Sequence, residues 1–262
     1  MRVAPKIWIG VVVFVGYAVL VVGIQAATGI DYTRWGDSAR NLFLGAGLSL
    51  IVATVVLAIV TTLLGWWGPA LRERHRAQRR WPLIAPILLA VIAVVVLLAS
   101  DWQAVSGAFL AAALVLVLVG FTEEIVARGL LLVALRSRLS EVWVWLITSV
   151  LFGAMHLSNS LLGQPLSATL PQVGFAFLVG TSFYIVRRCT GSLIPAMFLH
   201  GLWDFAQFIS GNGTPGAAAP FAQAFVFVVG ALALVSVGFV IRGADERLGP
   251  RAQLTSTATR SR

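Results

Sequence analysis

The sequence is short of nearly everything a soluble or secreted domain relies on. It has one cysteine, Cys189, so an intramolecular disulfide is excluded. Cys189 follows Arg187 and Arg188, a setting that can activate a thiol, but a small side chain at a helix end is the plainer reading. There is one lysine, Lys6, a scarcity that hints at a GC-rich genome. Only 11% of the 262 residues are charged, against about 25% in a soluble domain. The net charge of +9 sits in short arginine-rich segments rather than on one basic face. That distribution argues against nucleic acid as a partner and fits the arginine bias of a membrane protein. No internal repeat, no strong GxxxG dimerisation motif and no A-x-A cleavage site after the first apolar run is found. The oligomeric state is therefore left open.

What the chain has in quantity is apolar sequence, 59% of all residues, with a mean hydropathy of +0.92. Several runs reach the ~18–20 residues that cross a bilayer. The expected fold is all-α: a polytopic membrane bundle of about eight transmembrane helices. Residues 1–241 are read as one membrane domain and 242–262 as a disordered cytoplasmic tail. The expected spans are Ile7–Ala27, Leu42–Trp66, Trp81–Ser100, Ser106–Arg138, Val142–Leu157, Thr169–Val186, Leu193–Ile209 and Phe221–Ile241. Ser106–Arg138 is too long for a straight span. It must tilt, protrude, or kink near Gly107 or Gly120.

Arg72, Arg74, Arg76, Arg79 and Arg80 mark the loop Pro69–Arg80 as cytoplasmic and solvated, with contact to anionic lipid as an added option. His75 in that loop needs no functional reading. Eight spans then put both termini in the cytoplasm. Every basic cluster falls on that side: the N-terminus, this loop, Arg136 with Arg138, Arg187 with Arg188, and the tail. The loops after the third, fifth and seventh spans carry no Lys or Arg.

Against this background Phe121–Arg128 stands out, because it places Glu123, Glu124 and Arg128 inside a long apolar region. Ionisable groups in a span cost a few kcal/mol or more each, so they mark a functional site by default. His156, His200, Asp204 and, more weakly, Gln172 are likewise unexplained by topology. At 1.5 Å per residue, Glu123 and His156 each lie ~20 Å from the basic ends of their helices, and His200 lies ~15–18 Å from Arg188. Three helices thus bring ionisable groups to a similar depth. The bland alternatives are an interfacial cluster, if the fourth span ends near Gly120, and histidines that merely bond helix to helix.

Spacing gives orientation. Glu124 and Arg128, Phe152 and His156, and His200 and Asp204 are i,i+4 pairs that share a helix face. Glu123 points ~100° away from Glu124. Glu124 is therefore expected to pair with Arg128, leaving Glu123 free, and Asp204 to hydrogen-bond and orient His200. Phe152 is read as packing, and Gln172 and Tyr184 as residues that could line a cavity. A carboxylate in a dry pocket can serve as general base, one His can hold the same water, and a second can donate to an oxyanion. That is a hydrolase site for an acyl compound, most simply a peptide bond. Glu123, His156 and His200 also resemble a His₂Glu zinc set, although no H-E-x-x-H pair is present. The sequence itself requires no cofactor, and Zn²⁺ stays an option.

Glu-Glu-x-x-x-Arg (Glu123, Glu124, Arg128), Phe-x-x-x-His (Phe152, His156) and His-x-x-x-Asp (His200, Asp204) occur in that order. The set resembles the CPBP family of intramembrane proteases, also called the CAAX protease and bacteriocin-processing, or abortive-infection, family. That family is related to the eukaryotic CAAX prenyl endopeptidase. The similarity runs from Phe121 to Asp204, within a core of about 117–210; the first 80 residues and the eighth span carry no family signal. It implies that Glu123 activates water together with His156. His200 and Asp204 would stabilise the oxyanion, and Glu124, Arg128 and Phe152 would support. The family is labelled metalloprotease, with Glu123, His156 and His200 as ligands, but a metal-free glutamate mechanism is also held for it. The eukaryotic enzymes have Asn where this chain has Asp204, and an ionised Asp cannot donate to an oxyanion.

The expected function is an endopeptidase in a cell membrane, read as a bacterial plasma membrane. Its partners are the bilayer and a membrane-embedded or membrane-proximal peptide substrate, prenylated or not. The alternative is a non-enzymatic scaffold or bacteriocin-immunity-type binding protein.

Overall fold

The computed structural model describes residues 1–242, so the expected tail, apart from Arg242, lies outside the described residues. Apolar runs with no water to bond their backbone close their hydrogen bonds within each segment, and helices result. Among the described residues, seven helices are long and apolar enough to cross a membrane: α1 (Ile7–Thr28), α2 (Ala39–Leu64), α3 (Trp81–Leu98), α4 (Gly107–Leu135), α5 (Glu141–Leu162), α6 (Leu166–Thr190) and α8 (Ala218–Ile241). The remaining expected span is the helix α7 (Ile194–Ser210), of 17 residues. It reaches only about 26 Å, against ~30 Å of hydrocarbon. Gly191, at φ 78°, and Pro195 in the first turn set its start.

The bundle is turned outward as a membrane protein would be. Val19, Leu98 and Val235 are 67%, 79% and 72% exposed, faces that lipid rather than water can cover. Both ends of the described chain lie beside the arginine loop. Trp66 Nε1 donates to Val3 O at 2.8 Å, and Arg79 stands 5.8 Å from the Phe239 ring centre.

α4 is not one straight helix. An α segment ends at Leu116, a second runs Leu118–Glu124, and a π segment covers Ile125–Leu131. The break falls at Val117 rather than at Gly107 or Gly120. Gly120 instead sits where α4 and α7 cross. A Cβ there would run into the carbonyl oxygen of Met197, so only a residue without a side chain lets the two backbones touch. Such crossings by small residues are how membrane helices approach closely. α5 changes character at its far end, from α-helix Glu141–Met155 to 3-10 helix His156–Leu162, where an open outer loop was expected after Leu157.

At the arginine end the loop is folded onto the bundle. Arg72, Arg74, Arg76, Arg79 and Arg80 keep some or much of their surface in solvent, as expected of a solvated run. Glu73, however, turns inward with a side chain that is 0% exposed. It accepts from Arg136 Nη1 at 2.9 Å and Arg188 Nη1 at 2.7 Å, and also from Arg187 Nε. Arg136 also grips Glu141, whose Oε1 accepts from Tyr184 OH at 2.6 Å. Arg136, Arg187 and Arg188 are thus buried structural cations as well as topology markers. Tyr184 belongs to this lock and not to a cavity wall. Burial alone would raise the Glu73 carboxyl, but Arg187, Arg136 and Arg188 pull it down to about 2.

Candidate active site

The π segment and the turn before it position the acidic motif. Glu124 and Arg128 stay one turn apart, and Arg128 Nη1 donates to Glu124 Oε1 at 2.9 Å with both side chains 0% exposed. π segments sit frequently at functional sites, where the wider turn re-aims side chains. The guanidinium lies 3.8 Å from the Phe152 ring centre. It fits there because Gly180 faces it: a Cβ on Gly180 would collide with Arg128 Nη2. Arg187 donates to the main-chain carbonyl of Arg128, which ties this motif to the Glu73 lock.

Glu123, one residue earlier, faces the other way, into a cavity of about 440 Å³ between the helices. His156, His200 and Asp204 line the same cavity. His200 Nε2 is 3.8 Å from Glu123 Oε2 and 3.9 Å from Asp204 Oδ2. Both gaps exceed a hydrogen bond and are the kind a single water bridges. Glu123 Oε2 is buried and, among the described residues, has no hydrogen-bond partner. Buried polar atoms are rarely left so.

The histidines are held by their other nitrogens. His156 Nδ1 is 3.0 Å from Phe152 O; a carbonyl only accepts, so Nδ1 carries hydrogen and Nε2 is left for other partners. His200 Nδ1 is 3.2 Å from Glu124 Oε1. The expected hydrogen bond between His200 and Asp204 is not made: Asp204 Oδ2 stays 3.9 Å from Nε2, and it is the Glu124 carboxylate, fixed by Arg128, that holds the ring through Nδ1. Phe152 is the hub of the site, 5.5 Å from the His156 ring and 5.7 Å from the His200 ring, and Phe183 stacks on His200 at 4.7 Å.

For zinc, Glu123, His156 and His200 would have to converge on one point. Among the described residues no three His, Cys, Asp or Glu side chains do so. This arrangement does not fit the ion, and no chemistry is derived through it. Cys189 is buried, with Sγ 3.6 Å from Arg79 O, and is remote in role from the cavity.

The first two spans, silent in the sequence, close the cavity. Tyr17, Val21 and Gln25 of α1 and Ala46 and Leu50 of α2 line it. Tyr17 OH donates to Thr122 Oγ1 at 3.3 Å, next to Glu123. The spacing 17–21–25 on one helix face was the available signal. Gln172 lines the cavity too; its Oε1 accepts from Asn159 Nδ2 at 3.0 Å and its Nε2 donates to Tyr32 OH at 3.2 Å.

The fold and site define a polytopic helical membrane protein with a carboxylate–histidine centre walled inside the bundle. Residues 106–206 match the family model described as Rce1-like, type II CAAX prenyl endopeptidase Rce1-like. The matched stretch carries all seven motif positions from Glu123 to Asp204, in agreement with the family that those motifs resemble. Residues 106–206 are thus similar to a Rce1-like domain, the model of a protease family. No curated protein and no solved structure matches the chain.

Proposed function

We propose that the protein is an intramembrane endopeptidase of the cell membrane that hydrolyses a peptide bond in a membrane-embedded or membrane-proximal substrate. The reading is carried by one observation. Glu123, His156, His200 and Asp204 meet on one cavity, and Glu123 Oε2, 3.8 Å from His200 Nε2, has no hydrogen-bond partner among the described residues. A purely structural carboxylate would be held by a cation, as Glu124 and Glu73 are engaged by arginine.

In this reading Glu123 takes a proton from water as the water oxygen attacks the scissile carbonyl carbon. His156 Nε2 accepts from the water's second hydrogen, its ring held by the Phe152 carbonyl. The carbonyl oxygen becomes an oxyanion and accepts a hydrogen bond from His200 Nε2–H, while Glu124 holds Nδ1. Asp204, 3.9 Å from that nitrogen, acts through His200 rather than on the oxyanion. The C–N bond then breaks, and the proton held by Glu123 passes to the leaving amine. Glu123→Gln and His156→Ala are expected to abolish processing in a complementing strain without lowering the amount of folded protein. Unchanged processing would return the non-enzymatic scaffold reading.

A further inference from the structure

Three cavity-lining residues carry a buried side-chain nitrogen or oxygen with no hydrogen-bond partner among the described residues: Trp35, Glu123 and Gln207. Buried polar atoms are rarely left so, and each calls for its own account. Packing explains Trp35 Nε1. It lies so close to Gly45 that a Cβ there would run into the indole, so the ring is wedged against α2. Glu123 Oε2 faces the water that the proposed reaction activates. Gln207 Nε2 has no part in that reaction, and it is a donor where Glu123 is an acceptor.

The surroundings of Gln207 hold its amide in one orientation. Its Oε1 accepts from Gln223 Nε2 of α8 at 2.7 Å, so the acceptor end is occupied and the donor end is left over. His200, Trp203, Asp204, Gln207 and Phe208 follow at helical spacing and all line the cavity, so one stripe of α7 carries Gln207 together with His200. At 1.5 Å per residue, Gln207 stands ~10 Å further along the helix than His200. An extended peptide covers that distance in about three residues, at ~3.4 Å each. We infer that Gln207 is a substrate-binding residue: its Nε2–H donates to a main-chain oxygen of the peptide about two to four residues from the scissile carbonyl, with Gln223 fixing the amide. A peptide that ends short of this point leaves the donor buried and unpaired, at a cost of roughly tenfold in rate. Neither glutamine lies in the matched stretch 106–206. The inference rests on the endopeptidase reading.

The test uses the purified full chain in detergent and, as probe, the tryptic peptides of a cell membrane fraction. New termini are followed in time by mass spectrometry, with Glu123→Gln as the blank. For each side of the cut, the rate for peptides that keep at least four residues is divided by the rate for those that keep one. On one side this ratio is expected to be roughly tenfold higher in the wild type than in Gln207→Met, which removes the donor at nearly equal size. Gln207→Glu keeps the acceptor for Gln223 but lacks the amide N–H. It should lower the ratio as far, and it decides the matter if Gln207→Met fails to fold. An unchanged ratio in either folded variant overturns the inference while the endopeptidase reading stands. Termini that are the same with the wild type and with Glu123→Gln overturn the endopeptidase reading itself, and the inference with it.

Discussion

Two clusters of buried charge lie in this bundle, and they are built on opposite principles. At the arginine end, Glu73, Glu141, Arg136, Arg187 and Arg188 engage one another, with Tyr184 and main-chain carbonyls taking up further bonds. In the cavity, Glu123 and Asp204 stand almost 4 Å from the nearest His200 nitrogen, and Glu123 Oε2 is unpartnered among the described residues. The first arrangement locks the ends of α4, α5 and α6 to a loop. The second leaves hydrogen-bonding capacity unspent where a water and a substrate carbonyl would use it. Buried charge alone does not mark a reactive site; a buried carboxylate oxygen that faces a cavity with no arginine among its described lining residues, as in Glu123, is what sets this cluster apart.

Substitutions should separate the clusters. The largest effect is expected from Glu123→Gln: a loss of about 10²–10⁴-fold in cleavage, the scale of general base catalysis, with an unchanged thermal midpoint. Glu73→Gln should do the reverse, leaving three buried guanidiniums short of their shared partner and lowering stability by about 3–5 kcal/mol. The same carboxylate gives a pH signature. Its folded value of about 2 lies below the ordinary 4.5, so its stabilisation is full above ~4.5 and is lost as pH falls towards 2. Thermal melts across that window should show an acid-sensitive component on the order of 3 kcal/mol in the wild type that Glu73→Gln lacks.

Glu124→Gln is intermediate, because Glu124 joins Arg128 to His200. Losing that orientation should cost about 10–100-fold in activity, accompanied by a lower melting temperature. Tyr184→Phe removes one buried hydrogen bond from the lock, about 1 kcal/mol in a denaturation curve, and leaves cleavage unaltered. At the bottom of the scale, a chelator added to purified protein is expected to leave the cleavage rate where it was. A chelation-dependent loss, restored by zinc, would show that Glu123, His156 and His200 rearrange to bind a metal.

How legible this was depended on whether a feature is local. Helix positions followed from apolar run length, and the Glu124–Arg128 pair from i,i+4 spacing within one helix. Equal depth on three helices anticipated that Glu123 and His200 would come within reach of each other. What spacing along one helix could not settle was competition between helices. Asp204 shares a face with His200 but stays 3.9 Å from its Nε2, and Glu124 on α4 holds the ring through Nδ1. The inward turn of Glu73 was hidden for the same reason, since its partners are 63 to 115 residues distant along the chain. Tyr32 and Asn159 were out of reach because loops carry no period from which a direction can be read.

The most direct measurement compares peptide termini in membranes from cells carrying the wild type and cells carrying Glu123→Gln, at equal amounts of protein with equal melting behaviour. With Glu123 as the base, a defined set of new termini is present with the wild type and absent with Glu123→Gln. Identical termini in both would contradict it.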